Sequence, residues 1–153
     1  MKFGVSFSPD LEQRMLQACE TAASVGFAEL NARFQATIGA KVWNWPRETL
    51  RVNNKAVGSP RNIVDTGALR QSNVFSMTGP LTGTFAWTTN YASYVHEGAM
   101  IFPWGNTKAK RVFTPPRPWT SAVLGTEKVA GIEPYDINNR LRQLVIVSLN
   151  RKA

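Results

Sequence analysis

A run of apolar residues at helical spacing near the start of the chain constrains the fold more than any other feature. It extends from Leu11 to Ile38 and makes one face of a helix apolar. Ser8 is suited to cap this helix and Pro9 to occupy its first turn. We therefore predict a helix from Pro9 to about residue 39, with Gly26 as the expected site of a kink or break. The apolar positions are Leu11, Met15, Ala18, Ala22, Val25, Leu30, Phe34 and Ile38.

The rest of the chain predicts shorter elements. Two alternating runs, at 73–77 and 84–88, indicate a hairpin with one core face that carries Phe75, Met77, Phe85 and Trp87. Further expectations are short helices at 68–72, 91–95 and 119–124, a strand at 111–114, exposed or irregular loops at 53–60 and 99–110, and a C-terminal helix at 136–149. The sequence thus predicts one α+β domain over residues 1–153. In it a small antiparallel sheet packs against a long N-terminal helix, with short helices and a C-terminal helix.

Composition narrows the class of protein. The chain has 43% hydrophobic and 18% charged residues, which is typical of an ordinary folded domain and excludes general disorder. Its single cysteine, Cys19, cannot form an internal disulfide and is expected to be a small buried apolar residue. Residues 1–7 lack an apolar run long enough for a signal peptide or membrane span, so we expect synthesis in a cytoplasm and no membrane partner. The net charge of +8 permits contact with nucleic acid.

The stretch Ile63-Val64-Asp65-Thr66-Gly67-Ala68 has two interpretations. Two apolar residues before Asp-Thr-Gly are typical of an aspartic protease, in which a dimer would supply the second carboxylate. Alternatively, Asp65 or Thr66 accepts hydrogen bonds at the start of a short helix, Gly67 adopts a backbone that larger residues resist, and Leu69 faces inward. The bulky Leu69 and the cation Arg70 favour this structural turn, which continues to Ser72.

Other catalytic patterns are missing from the sequence. We find no glycine-rich phosphate loop, no metal-ligand cluster and no serine or cysteine triad. The lone histidine, His96, has neither a second ligand nor a nucleophile at a recognisable spacing, and we expect a structural role for it. We therefore expect a protein that is not an enzyme, with no catalytic residue, cofactor or metal.

Three motifs occur in order and resemble one known family. They are a Thr-Gly-x-Leu-Arg-x-Ser turn, a Tyr-Ala-x-Tyr-Val-x-Glu-Gly segment and a Pro-x-Pro-aromatic segment that leads into a small helix. Together they resemble the neck and tail-completion (head-tail joining) proteins of long-tailed bacteriophages, over roughly residues 60–125. The residues that carry the second and third motifs are Tyr91, Ala92, Tyr94, Val95, Glu97, Gly98, Pro116, Pro118 and Trp119.

The resemblance implies a structural virion protein. Such a protein would form a ring around the DNA channel, expected to be a hexamer, and would complete the tail or join it to the head. Its partners would be further copies of itself and other neck, connector and tail proteins, with non-specific DNA contact, and it would lie in the virion after assembly in the host cytoplasm. A tail terminator is a close neighbour in the same class. A dimeric Asp-Thr-Gly protease and a small basic nucleic-acid-binding protein are the alternatives.

The irregular loop at 99–110 is our candidate for a subunit interface. Phe102 and Trp104 are large apolar residues beside turn residues, and aromatic residues are favoured anchors in interface cores. Lys108 and Lys110 follow closely and would face either an acidic neighbour or passing DNA. Aromatic residues interleaved with cations could also stack on bases, but their spacing is not regular.

Overall fold

The computed structural model describes residues 8–102, 107–108 and 110–150. It confirms the predicted mixture of a long N-terminal helix, small antiparallel sheets, short helices and a C-terminal helix. The chain divides into two units. The first contains residues 1–30, 76–84 and 136–153, and the second contains residues 31–75 and 85–135. In chain order the elements are α1 (Pro9–Gly39), β1 (Thr49–Leu50), β2 (Ala56–Val57), α2 (Ala68–Gln71), β3 (Asn73–Gly79), β4 (Thr82–Trp87), α3 (Ala92–Glu97), β5 (Ala99–Ile101), β6 (Val112–Thr114), α4 (Trp119–Leu124) and α5 (Ile137–Asn150).

Helix α1 has the predicted bounds but differs in its middle. The hydroxyl of Ser8 accepts a hydrogen bond from the backbone N–H of Leu11 at 3.4 Å, as expected of a cap. The helix continues through Gly26 without the expected break. A Cβ atom at Gly26 would lie 2.7 Å from Cδ2 of Leu141, so this glycine allows α5 to approach closely. The predicted apolar face is buried at Ala18, Ala22, Leu30, Phe34 and Ile38, whereas Leu11, Met15 and Val25 are exposed.

In the first unit, α5 is joined to α1 by an ion pair. The guanidinium of Arg140 donates to both carboxylate oxygens of Glu29, at 2.8 and 2.6 Å. The carboxylate of Asp136 accepts a hydrogen bond from the N–H of Asn139 at 2.9 Å and thereby caps α5. The predicted C-terminal helix is therefore confirmed, together with the acidic cap that starts it.

In the second unit, aromatic rings pack the end of α1 against the hairpin β3–β4. The ring of Phe34 meets Phe85 edge-on at 5.3 Å and Trp87 at 5.9 Å, and Phe75 stacks on Phe85 at 4.9 Å. Trp119, at the start of α4, contacts Trp87 at 5.4 Å and is 2% exposed. The predicted core face of the hairpin is therefore confirmed at the half-buried rings of Phe75, Phe85 and Trp87, whereas the prediction is wrong for Met77, which is 37% exposed.

Within the described residues the strands form three two-stranded sheets, β1–β2, β3–β4 and β5–β6. Two predictions about loops are wrong in part. The stretch 53–60 contains β2, which pairs antiparallel with β1, and the stretch 99–110 begins with β5, in which Ala99 pairs with Thr114 of β6. These strands have only two or three residues each, so they carry too little alternation for a period of two to be recognised.

Candidate functional site

The first two sequence motifs line one cleft in the second unit, and the third contributes Arg117, which stands at its variable position between Pro116 and Pro118. The cleft has a volume of about 440 Å³ and lies between α2, α3 and the segment that precedes α4. Motif residues 65–72, 91–98 and 115–119 are well separated in sequence, and their convergence is a result of the fold. The motif residues in the lining are Asp65, Thr66, Gly67, Leu69, Arg70, Tyr91, Tyr94, Val95 and Arg117.

The first motif forms a turn before α2. Gly67 has φ of 87°, in the left-handed region that favours glycine, and this explains its place in the motif. Of the two residues expected to cap α2, Thr66 accepts a hydrogen bond from the N–H of Ala68 at 3.3 Å. Asp65 is not a cap, because its carboxylate accepts instead from the N–H of Val52 at 3.2 Å. It therefore holds the turn to the loop after β1.

The end of this turn is fixed by Leu69 and Ser72. The side chain of Leu69 is buried, as predicted, and the hydroxyl of Ser72 donates to the carbonyl of Leu69 at 2.8 Å. The carbonyl of Ser72 accepts from the N–H of Thr88 at 3.0 Å, which connects the turn to the residue after β4. Arg70 is exposed at the edge of the cleft. These contacts give the first motif a defined position in the second unit.

The second motif forms α3, whose exposed tyrosines border the cleft. Tyr91 is 39% exposed and Tyr94 is 58% exposed, whereas Ala92 is buried on the opposite side. At the end of the helix, Gly98 has φ of 75°, and a Cβ atom there would lie 2.8 Å from the backbone nitrogen of Pro116. The glycine is thus required for the close approach of the second and third motifs.

His96 has a structural position next to this site. Its Nδ1 lies 2.6 Å from the carboxylate of Glu97, and its Nε2 lies 2.7 Å from the hydroxyl of Thr120. Its ring meets Trp119 edge-on at 4.7 Å. Both ring nitrogens are therefore in hydrogen-bond contact, and the histidine connects α3 to α4.

The third motif brings Arg117 to the cleft. The backbone N–H of Arg117 donates to the carbonyls of Val95 and His96, both at 3.1 Å, so the segment is attached to the last turn of α3. Pro118 is buried immediately before α4, and Pro116 is exposed. The side chain of Arg117 is only 7% exposed, which is unusual for an arginine.

Two guanidinium groups lie over Trp45, which also lines the cleft. The guanidinium carbon of Arg117 is 4.6 Å from the centre of the indole ring, and that of Arg61 is 5.2 Å away. Burial and, to a smaller extent, the nearby charge of Arg61 together lower the pKa of Arg117 to about 10. Burial also lowers the pKa of Arg61, followed by the charge of Arg51, while the charge of Asp65 raises it.

Polar atoms at this end of the cleft have no partner within the described part of the chain. The Nε atom of Arg117 and the hydroxyl of Thr114 are both buried and make no hydrogen bond there. The guanidinium of Arg61 donates to the hydroxyl of Thr49, but its Nε atom is likewise buried without a partner in the described residues. Buried cations in proteins are generally paired, so this arrangement is suited to binding an anion.

Three of the four residues expected at a subunit interface lie within the described part of the chain. Phe102 is half-buried beneath the guanidinium of Arg111, at 4.9 Å, and Trp104 lies outside the described residues. Lys108 and Lys110 are exposed, and Lys110 lines a separate depression of about 220 Å³ with Arg47 and Arg111. Phe102, Lys108 and Lys110 do not line the cleft described above.

Sequence reasoning missed Arg117, Arg61 and Trp45 as site residues. The one available signal for Arg117 was its place between two prolines in the third motif. Arg61 and Trp45 belong to no motif and come together because the backbones of Trp43 and Arg61 pair, with N···O distances of 3.0 and 2.9 Å.

Within residues 8–102, 107–108 and 110–150, no three histidine, cysteine, aspartate or glutamate side chains are grouped as a metal site would require. None of the helices described there is both long and apolar enough to span a membrane. No protein-family model, curated protein or solved structure matches the chain.

Proposed function

We propose that this chain is a structural virion protein of a long-tailed bacteriophage. It acts at the neck or tail end, as a ring of identical subunits around the DNA channel that completes the tail or joins it to the head. The observation that supports the proposal is that the first two motifs line one cleft, and that the third is attached to the second and adds Arg117 to the same lining. The sequence resemblance rests on those motifs, and their convergence gives them a common role in one site.

The properties of the cleft favour a protein partner. Its border carries large apolar side chains that are exposed to solvent, namely Tyr91, Tyr94 and Ile101. Aromatic residues of this kind are enriched in the cores of protein interfaces. In a closed ring each subunit offers two different surfaces to its neighbours, so a cleft on one side can receive a projection from the other.

The positive charge has a place in the same proposal. Lys108 and Lys110 are exposed, and the chain carries a net charge of +8. Cationic residues that face the channel of a ring would contact DNA phosphates without regard to sequence. The protein would assemble in the host cytoplasm and remain in the virion.

Native mass spectrometry, together with electron microscopy of the protein mixed with isolated heads or tails, tests the proposal. We expect the mass of a ring, and density for the ring at the junction end of one of these particles. A variant with Lys108 and Lys110 changed to glutamine should form the same ring but attach more weakly. A protein that stays monomeric and binds neither particle would contradict the proposed function.

A further inference from the structure

The cleft contains a buried cation whose counter-charge is not in the described part of the chain. Arg117 is 7% exposed and forms no ion pair with any described carboxylate. The cation–π contact with the Trp45 ring compensates only part of the cost of burying this charge. The buried hydroxyl of Thr114, also in the lining, has no hydrogen-bond partner there either.

The charges that line the cleft do not balance. Three arginines, Arg61, Arg70 and Arg117, face one carboxylate, Asp65, which leaves a formal charge of +2. Asp65 is exposed, and its carboxylate already accepts a hydrogen bond from the N–H of Val52. A negative group that enters the cleft would therefore meet an excess of positive charge and two unused polar groups at its buried end.

We propose that the cleft is a carboxylate-binding site that receives an acidic side chain, next to an apolar one, from a second copy of this chain. The inference rests on the proposed function in one respect, because the ring supplies the second copy. The carboxylate would accept hydrogen bonds from Arg117, and Thr114 can donate its hydroxyl proton to the same group. The neighbouring apolar side chain would pack against the aliphatic walls.

A carboxylate fits this cleft better than a DNA phosphate does. Much of the wall is apolar, with contributions from Ile38, Ile63, Leu69 and Val95. Proteins that bind DNA by its backbone place lysines and arginines where solvated phosphates can reach them. Arg117 instead is only 7% exposed and shares the cleft wall with these apolar side chains, so a single side chain is better suited to reach it than a solvated sugar-phosphate backbone.

The chain itself offers a matching segment. At the start of α1, Asp10 and Glu12 are exposed and flank Leu11, which is 37% exposed. In the described part of the chain this is the place where two exposed carboxylates flank an exposed large apolar residue. The heterologous contacts of a closed ring pair two different surfaces, and these two surfaces are complementary in charge and hydrophobicity.

A peptide titration followed by two-dimensional NMR tests the site directly. The probe is a synthetic peptide of residues 8–16, and its control is the same peptide with Asp10 and Glu12 replaced by asparagine and glutamine. We expect the acidic peptide to shift the indole N–H signal of Trp45 and the Nε–H signal of Arg117, and to bind roughly 10-fold or more tightly than the neutral peptide. Arg117→Met should remove this preference, whereas Arg142→Met, at an exposed position on α5, should retain it.

The outcomes separate the site from the function. Equal binding of both peptides, or no shift at Trp45 and Arg117 of the unmodified protein, would overturn the inference even if Arg117→Met fails to fold. A short DNA duplex or inorganic phosphate that causes the same shifts at lower concentration would overturn it in favour of phosphate binding. A ring that forms unchanged when Asp10 and Glu12 are both neutralised would refute the second copy as the source. A protein that binds the peptide but forms no ring would refute the proposed function and support the carboxylate site.

Discussion

Replacement of Arg117 by methionine should make the isolated protein more stable. Burial, followed by the charge of Arg61, lowers the pKa of Arg117 from its ordinary value to about 10. One pH unit corresponds to about 1.4 kcal/mol, so the charged side chain costs the folded state about 3 kcal/mol. The loss of the cation–π contact with Trp45 subtracts about 1 kcal/mol from the gain. Methionine is flexible enough to fill the space, and we expect a net stabilisation of about 2 kcal/mol.

Urea denaturation at pH 7 measures this change in the free energy of unfolding. For a chain of this length, about 2 kcal/mol corresponds to a rise in Tm of roughly 4–8 °C. Arg142→Met, on the exposed side of α5, is the matched control and should change stability by less than about 0.5 kcal/mol. A loss of 1 kcal/mol or more in Arg117→Met would refute the reasoning, because it would show that the guanidinium has compensating partners in the folded monomer.

The lowered pKa of Arg117 determines how the contribution of this residue to the free energy of unfolding changes with pH. The folded protein releases the proton of Arg117 near pH 10, and the unfolded chain, in which the pKa is not lowered, releases it at a higher pH. Between these values the unfolded state binds more protons, so this residue's contribution to stability rises with pH there and is constant at neutral pH. The difference between wild type and Arg117→Met should therefore not change between pH 6 and pH 8.

Three further substitutions test local packing, each by urea denaturation. Gly98→Ala should lower the free energy of unfolding by about 2–4 kcal/mol, because a φ of 75° is strained for alanine and backbone atoms lie 2.8 and 2.9 Å from the new Cβ. Gly58→Ala is the control and should be nearly neutral, because the space around Gly58 is open. Gly26→Val should lower the free energy of unfolding by about 1–3 kcal/mol, because the larger side chain pushes against Leu141. Gly26→Ala should have a smaller effect on the free energy of unfolding, because alanine favours the helix. Asp65→Ala should cost about 1 kcal/mol through loss of the hydrogen bond from Val52, and Asp65→Asn, which keeps an acceptor, should cost less.

The elements that sequence periodicity predicts best are those whose structure depends on local signals. Helix α1 follows from its apolar repeat and from Ser8, and α5 follows from its repeat and from the Asp136 cap. The role of Gly26 could not be predicted in the same way. A glycine inside a helix indicates a break when only its own segment is considered, but the close approach of α5 is a contact with a distant part of the chain.

The site was harder to predict than the fold, because its key property is the burial of one charge. An arginine is expected at the surface of a protein. The residues next to Arg117 in the sequence do not predict that it is only 7% exposed. Its environment depends on Trp45, which lies far away in sequence and is brought to the cleft with Arg61 by a single backbone pairing. The motifs indicated the region of the cleft, and the contacts across the fold give the cleft its buried positive charge.

The desolvation cost of the buried Arg117 charge is most simply explained if the cleft binds a carboxylate. A methionine or leucine between the same prolines would line the cleft without a desolvation cost, so the free monomer gains nothing from a cation here. When a carboxylate enters, the two opposite charges attract each other at short range in a region with little water, and the pKa of Arg117 should rise towards its ordinary value. The desolvation cost of the Arg117 charge then applies to the free monomer and is offset in the assembled chain. An arginine at this position therefore favours assembly with an acidic partner over the isolated subunit, and an apolar residue would provide no such discrimination.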